Sequence, residues 1–576
     1  MTKKQIFHFF SRTSVQIFIL LSVVFFLYSF MLSAPFWTLD DKLSILDNAQ
    51  IQSLKNIPII FKTSFFGASR YYRPLVTLSF ALNYRWFGFN PFFFNLTNLF
   101  LHLLVSLLVF KAAAFLLKDK TLGFLTAFLF VAHPINAEAV SHIAGRSILL
   151  CAFFEWSSFI LYCMAREKKR VALYILSLIC FCCALLSKES SAMLLGVLLA
   201  YEFFFKNSSL EPVFKKAKNV FPFLIILLIY IAARKILGII SIPYGFTLGD
   251  TLLGVATFLT SVFSYLRIFI FPADLYSERI FILQESFLSP FVLATLALLG
   301  AGLFVLIKLR KHIKKEIIFF LSFIVLTLFP VSQIVPLRLQ PGYIFFPDHF
   351  WYVPSVGVFA LLVTLGVFVS RRTPSIIFKM VVGIWIVVLL SMTVQQNIYA
   401  TNETASFKKV LFYQPTHAWA HTIMGMKSVK QEDFKKAEHH FRQTLESNPF
   451  DVRARISLGK TLIDQGRYWE GLNQYDQIAD AENLETMLKD NKAKTYKILQ
   501  DKYEQMLKED SNNEVVYYSL GVVYSKKGEF KEAAALYRQA LSLDPGINNA
   551  RQNLCHAYHM LGEEGKAKEC LNGILP

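Results

Sequence analysis

The chain has 576 residues, is 55% hydrophobic and carries a formal net charge of +19. From Asn397 onward basic and acidic residues balance at 24 each, so the first 396 residues, with 35 basic and 16 acidic, hold the whole excess. Those charges sit in short clusters between long apolar runs, the positive-inside pattern of a polytopic membrane protein, which excludes a nucleic-acid-binding surface as their explanation.

The N-terminus, "MTKKQIFHFFSRTSVQIFILLSVVFFLYSF", has a basic start and an apolar run long enough to span a bilayer. "SAPFW" is a poor cleavage site, so the run is expected to stay as a first helix with its N-terminus in the cytosol. Further apolar runs lie near 91–117, 121–135, 147–165, 171–187, 190–205, 220–238, 251–272, 289–307, 316–334, 350–370 and 380–397. Six basic clusters should face the cytosol: Lys3/Lys4/Arg12, Lys118/Lys120, "REKKR" (166–170), "KKAK" (215–218), "KLRKHIKK" (308–315), and Arg371/Arg372 with Lys379. Twelve alternating spans would put "KLRKHIKK" outside. Eleven spans, with 251–272 lying along the interface or re-entering, bring every cluster inside and send the C-terminal part to the opposite side from the N-terminus.

The outward loops then collect Asp40, Asp41, Arg70, Arg73, Glu138, Arg146, Lys188, Glu189, Arg267, Arg338 and Asp348. Ionisable groups at the ends of spans are costly unless paired, solvated or used, so this face is expected to hold a polar cavity. Asp40 and Asp41, in "FWTLDDKLSILDN" (36–48), put two like charges at the end of the first span. Repulsion and partial desolvation should raise at least one pKa, giving a base that works near neutrality. On a helix the two side chains would diverge by about 100°. A turn is expected after "FWT", with both facing the cavity; the structural alternative is a helix-end cap.

Five of the seven cysteines lie in apolar runs, where they act as small hydrophobes, and Cys182-Cys183 is no CxxC pair. Cys555 and Cys570 are expected as packed thiols, with a disulfide as the alternative. They fall in a region of 34-residue period: Gly425 and Gly459 are 34 apart, as are Gly521 and Cys555. "EVVYYSLGVVYSKKGEFKEAAALYRQALSLDP" (514–545) carries the tetratricopeptide pattern at Tyr517, Leu520, Gly521, Tyr524, Ala533, Tyr537, Ala540 and Pro545. Gly425, Ala437, Phe441 and Pro449 mark an earlier copy, and 485–512 reads as an irregular repeat or a longer helix. Phe441, Tyr475 and Tyr537 fall at packing positions, so they are expected in the core rather than on a ligand.

The fold expected is all-α: a polytopic transmembrane domain of about eleven spans over 1–397, then an α-solenoid of tetratricopeptide repeats over 398–576. "YYRPLVTLSFALNYRWFGFNPFFFNLTNLFLHLLVSLLVF" (71–110), "HPINAEAVSHIAGRSILL" (133–150), "LLSKESSAMLLGVLLAYEFFF" (185–205), "FSYLRIFIFPADLY" (263–276) and "WYVPSVGVFALL" (351–362) resemble the transmembrane and tetratricopeptide-repeat O-mannosyltransferases and their bacterial relatives. That resemblance implies a GT-C-like glycosyltransferase that takes a sugar from a polyprenyl- or dolichyl-phosphate carrier. It also places an acidic motif in the first outward loop, which Asp40-Asp41 matches as the catalytic pair. The sequence departs from the pattern at Asn136, where relatives commonly place a second His, and at His349 and Phe350, where an acidic-basic pair is usual.

Such chemistry needs cations for the leaving phosphate. Arg73, Arg146, Arg338, Lys188 and Arg267 are the candidates, with Arg73, Arg146 and Arg338 favoured: Arg suits bidentate binding and Lys acts as a point charge. Each has an ion-pairing alternative, such as Arg146 with Glu138. His133, Glu138 and His349 are possible accessory groups. No metal ligand set is assigned: Asp40, Asp41, Glu138 and His133 offer oxygen and nitrogen donors, but no spacing marks a dedicated cage and the need for a divalent ion stays open. Beyond the lipid-linked donor, no cofactor is implied.

The function expected is transfer of a sugar, mannose being the first candidate, to Ser/Thr hydroxyls of a protein or peptide held by the repeats. Alternatives are the same chemistry on a lipid or surface glycan, or a non-catalytic membrane scaffold. The setting expected is the bacterial cytoplasmic membrane with the repeats outside, or the ER membrane with the repeats lumenal.

Overall fold

The computed structural model describes residues 12–38, 40–65, 71–206, 217–239, 247–309, 311–334, 343–372, 375–478 and 485–572. Lys3, Lys4, Arg70, Lys215, Lys216, Arg310 and Arg338 lie outside the described residues. The described chain is almost wholly helical; the strands among it are Ile280–Ile282 and Tyr343–Phe345, antiparallel with Ile280 opposite Phe345. It divides into two compact units, Met1–Pro415 and Thr416–Pro576. The helix Glu403–Tyr413 belongs to the first of these.

In the first unit all twelve apolar runs are helical. Among the described residues seven helices are long and apolar enough to cross a membrane, and Lys120–Ala132 with Pro134–Ser141, bent by 59°, makes an eighth if the pair is one span. His133 is extended ahead of Pro134, whose ring disfavours helical backbone in the residue before it, and this accounts for the bend. Four shorter helices, Val171–Leu185, Leu194–Phe205, Phe221–Ile236 and Lys315–Leu328, form from the other runs. Each falls below the roughly 20 residues of a straight crossing. The protein is a membrane protein built from many apolar helices.

The run near 251–272 is a continuous helix, Leu248–Ile270, opened by a capping box between Thr247 and Asp250. It does not re-enter. By length and composition it could cross a membrane. Thr257 accepts a bond from the Gln284 amide (2.9 Å), Phe258 lies 5.2 Å from Phe346, and the Tyr265 hydroxyl donates to Asp348 (3.0 Å). The preceding helix, Phe221–Ile236, brings Tyr230 to the Tyr72 carbonyl (3.5 Å), beside Arg73.

Gly145 sits where no side chain fits. A Cβ there would lie 2.1 Å from the Ala139 carbonyl oxygen, which is backbone and cannot swing away. Gly145→Ala is therefore expected to destabilise the unit by about 3 kcal/mol, and the loss would show in thermal unfolding in detergent. The same turn carries Ala144 and Arg146, so the substitution also displaces groups described below.

The second unit stacks helix pairs. Ala418–Lys430 pairs with Phe434–Ser447, Val452–Asp464 with Tyr468–Asp476, Glu514–Lys527 with Phe530–Leu543, and Asn548–Met560 with Glu564–Leu571. The 485–512 stretch is a longer helix, Glu485–Glu509. The glycine-aromatic pattern has a direct cause: a Cβ on Gly425, Gly459 or Gly521 would come within 2.7 Å of the ring of Phe441, Tyr475 or Tyr537. Those rings are buried, as core positions should be. Cys555 and Cys570 are not packed thiols; they form a disulfide, 15 residues apart with Cα atoms 5.5 Å apart. Their spacing alone left the choice open, and the approach of the last two helices decides it. Opening the bond with dithiothreitol should cost the terminal helix pair about 3 kcal/mol, read as a lower melting temperature that the Cys570→Ser variant reproduces without reductant.

Candidate functional site

Asp40 and Asp41 do not share one setting. The backbone at 40–41 is helical and runs into a π-helical turn, Lys42–Leu46, not the turn expected after "FWT". Consecutive helical side chains diverge, and these do. Asp41 points inward and is 2% exposed. Its carboxylate accepts from the Trp37 amide (2.8 Å) and the Ala144 amide (3.1 Å), so it ties the loop to the turn after the third span. Burial, with repulsion from Asp40 and Glu403, raises its pKa to about 7 despite those two bonds.

Asp40 points outward. It is exposed, and among the described residues no hydrogen bond or ion pair reaches its carboxylate. Protein atoms surround it even where water touches it, and that loss of solvation raises its pKa, against the pull of His349 and Arg73. One carboxylate of the pair is structural and the other is open.

Of the expected phosphate ligands, Arg73 is at this site. Its Nε and Nη2 donate to Glu189 (3.2 and 3.0 Å) and its plane lies over the Tyr71 ring at 4.4 Å. Nη1 has no bond among the described residues. Lys188 stands over Phe350 (5.4 Å) in a cavity lined also by Cys151, Glu155, Ser190 and His349. Burial and the neighbouring Arg73 lower its pKa to about 8.

Arg146 is elsewhere. It is fully buried, with its guanidinium on Asn98, on Asn83 (3.0 Å), on Ser79 (3.2 Å) and on the Phe94 carbonyl (2.8 Å), over the Phe80 ring. The ion pair with Glu138 is not formed. Arg146 organises the packing of three helices and presents no donor to a ligand in the cavity.

The accessory groups divide likewise. His133 is buried, accepting from the Ile135 amide (3.2 Å) and paired with the Phe269 carbonyl (3.2 Å), so it caps the bend. Glu138 meets His349 twice, at the amide (3.0 Å) and at Nδ1 (3.3 Å). His349 lines the Lys188 cavity, and Glu138 lines a second one with His142, Asp348 and Lys409. Asn136 donates to the Phe130 carbonyl (2.8 Å) and takes no part in the cavity.

Asp348, expected among the charges of this face but given no role, is paired with Arg279 (3.1 Å), yet burial raises its pKa to about 6. Other groups here escaped the sequence reading. Burial and the charges of Glu138 and Asp40 push Glu278 well up. His142 packs on the Trp37 ring (4.1 Å), and Glu403 accepts from Thr38. A clue was present: "ADLYSER" (273–279) and "TNET" (401–404) carry charges into the outward loops. Among the described residues no group of three His, Cys, Asp or Glu side chains converges as metal ligands would. Asp40, Asp41, Glu278 and Asp348 are held at raised pKa, and the charges of His349 and Arg73 act on the open one, Asp40.

The tetratricopeptide repeat models match residues 425–483 and 515–546. The chain is similar to protein O-mannosyl-transferase TMTC3 of Mus musculus, 26% identical over 576 aligned residues that cover 92% of this chain and 60% of the relative. It is also similar to protein O-mannosyl-transferase TMTC2 of Homo sapiens, 32% identical over 228 residues, 37% of this chain and 27% of the relative. The chain therefore spans about three-fifths of the length of this TMTC3 relative. Among solved structures it is similar to the MamA protein at 23% identity and a TM-score of 0.15, over 27% of this chain and 90% of that one.

Proposed function

From the premise that this chain belongs to the family of transmembrane and tetratricopeptide-repeat O-mannosyltransferases, we propose that it is a glycosyltransferase acting on protein. The donor is a sugar, mannose first, on a polyprenyl or dolichyl phosphate. The acceptor is a Ser or Thr hydroxyl on the outward face of the membrane. The observation that carries the reading is the open, unbonded Asp40 carboxylate beside Arg73 and His349, on a loop fixed by Asp41.

Asp40 takes the proton of the acceptor hydroxyl as its oxygen attacks the anomeric carbon. The bond from that carbon to the phosphate oxygen breaks, and the lipid phosphate leaves with the electron pair. Charge grows on the phosphate as this happens, and Arg73, with the Lys188 ammonium, would stabilise it. A single displacement inverts the anomeric centre. A base with a raised pKa matches an acceptor proton better at neutral pH than an ordinary aspartate does.

The repeats would present the acceptor. Their disulfide fits an oxidising compartment, either outside a bacterial cytoplasmic membrane or in the ER lumen, and eleven spans would deliver them there. The test is transfer from radiolabelled polyprenyl-phosphate mannose in membranes containing the full chain, with protein and lipid fractions counted separately. Label on protein supports the reading. Label confined to lipid assigns the acceptor to a lipid or surface glycan, and no transfer from any lipid-phosphate sugar favours a scaffold.

The raised carboxylates also fix a pH dependence. A general base works only when deprotonated, so kcat/KM should fall as pH drops through a pKa above the usual carboxylate range. Rates measured between pH 4 and 9 should show that acid limb; a flat profile down to pH 4.5 contradicts Asp40 as the base.

A further inference from the structure

The stretch just before Asp40 is held from the far end of the unit. Glu403, 6% exposed, opens the helix Glu403–Tyr413, which follows the last span. Its Oε1 accepts from the Thr38 amide (2.8 Å) and its Oε2 from the Thr38 hydroxyl (2.7 Å). Next to it the Trp37 indole donates to the Ala400 carbonyl (3.2 Å) and packs 5.7 Å from Phe407. Trp37 also gives its amide to Asp41, so residues 37 and 38 are fastened on both sides. A buried carboxylate costs several kcal/mol to desolvate, and here each of its two oxygens takes a bond from one residue of an irregular loop. Packing alone would have been served by an apolar side chain.

We propose that Glu403 is a positioning residue for the Asp40 base: it fixes Thr38, and through Thr38 the direction in which the Asp40 carboxylate faces the acceptor. This rests on the glycosyltransferase reading for its kinetic consequences, but the clamp itself is separable from it. Charge-assisted bonds to backbone N–H groups are short and directional, which suits them to hold a loop. Misplacing a reacting group by about 1 Å costs on the order of 10²-fold in rate. Glu403 also stands near Asp41, so its charge helps keep that carboxyl protonated near neutrality.

Two readouts on the purified full chain test this. In hydrogen exchange followed by mass spectrometry, Glu403→Ala should speed exchange of the Thr38 amide about 10-fold or more while the spans keep wild-type protection. Thr38→Val, which keeps the amide bond and loses the hydroxyl bond, should fall between the two. In transfer assays Glu403→Ala should lower kcat 10- to 100-fold with the donor KM within 2-fold. Glu403→Gln keeps an acceptor for the amide and a donor for the hydroxyl, so it should restore most of kcat. Unchanged exchange at Thr38 in Glu403→Ala overturns the clamp, whether or not the chain transfers sugar. Faster exchange with wild-type kcat overturns the positioning role and leaves a structural one. If wild type transfers nothing while Thr38 exchange rises, the glycosyltransferase reading fails and the clamp stands. Should Glu403→Ala not fold, the Thr38→Val and Glu403→Gln pair decides the matter on the same readouts.

Discussion

Asp40→Asn should lower sugar transfer by about 10³-fold, within the 10² to 10⁴ that a positioned general base contributes, and leave the protein folded. The carboxylate is exposed and bonds to nothing among the described residues, so the amide removes basicity without breaking a contact. Asp40→Glu keeps the basicity but moves it by one methylene, and about 10²-fold should be lost. Asp41→Asn behaves differently. Its amide leaves one of two backbone donors, at Trp37 or Ala144, facing an N–H, which costs about 1–3 kcal/mol of stability. Activity then falls together with the fraction of folded chain. A melting curve beside each rate separates the two: Asp40→Asn changes only the rate, Asp41→Asn changes both.

The second large effect concerns Arg146. Arg146→Met should cost about 3–5 kcal/mol, because it strands the oxygens of Asn83, Asn98 and Phe94 in the interior. Arg146→Lys should cost nearly as much, since one ammonium cannot reach groups spread round a planar fork. Folded yield and melting temperature in detergent check this. Were Arg146 a phosphate ligand instead, Arg146→Lys would fold normally and raise the donor KM; the contacts seen here oppose that result.

The two arginines that sequence reasoning treated alike show where it stops. Both follow a motif turn at the outward end of a helix, and nothing local tells Arg73 from Arg146. What separates them is tertiary: Arg73 meets Glu189, whereas Arg146 meets Asn83 and Asn98 on two other helices. The apolar runs and the 34-residue period were legible because burial in lipid and stacking of repeats impose a periodic pattern. The expectation that 251–272 does not cross rests on charge balance alone, and the helix Leu248–Ile270 is itself long and apolar enough to span. The split between Asp40 and Asp41 was not, since it depends on helical backbone at 40–41 that three preceding residues do not announce. Glu403 lies 365 residues from Thr38, and no spacing rule links them.

The most direct measurement is on sugar released from the acceptor. Purified wild type and Asp40→Asn would each be given labelled polyprenyl-phosphate mannose and a Ser/Thr-rich acceptor protein, and the product treated with mild alkali to eliminate O-linked sugar. The structure leads to labelled hexose released from the wild-type product, and about 10³-fold less from Asp40→Asn. Equal release from both would show that Asp40 is not the base and contradict the account at its centre.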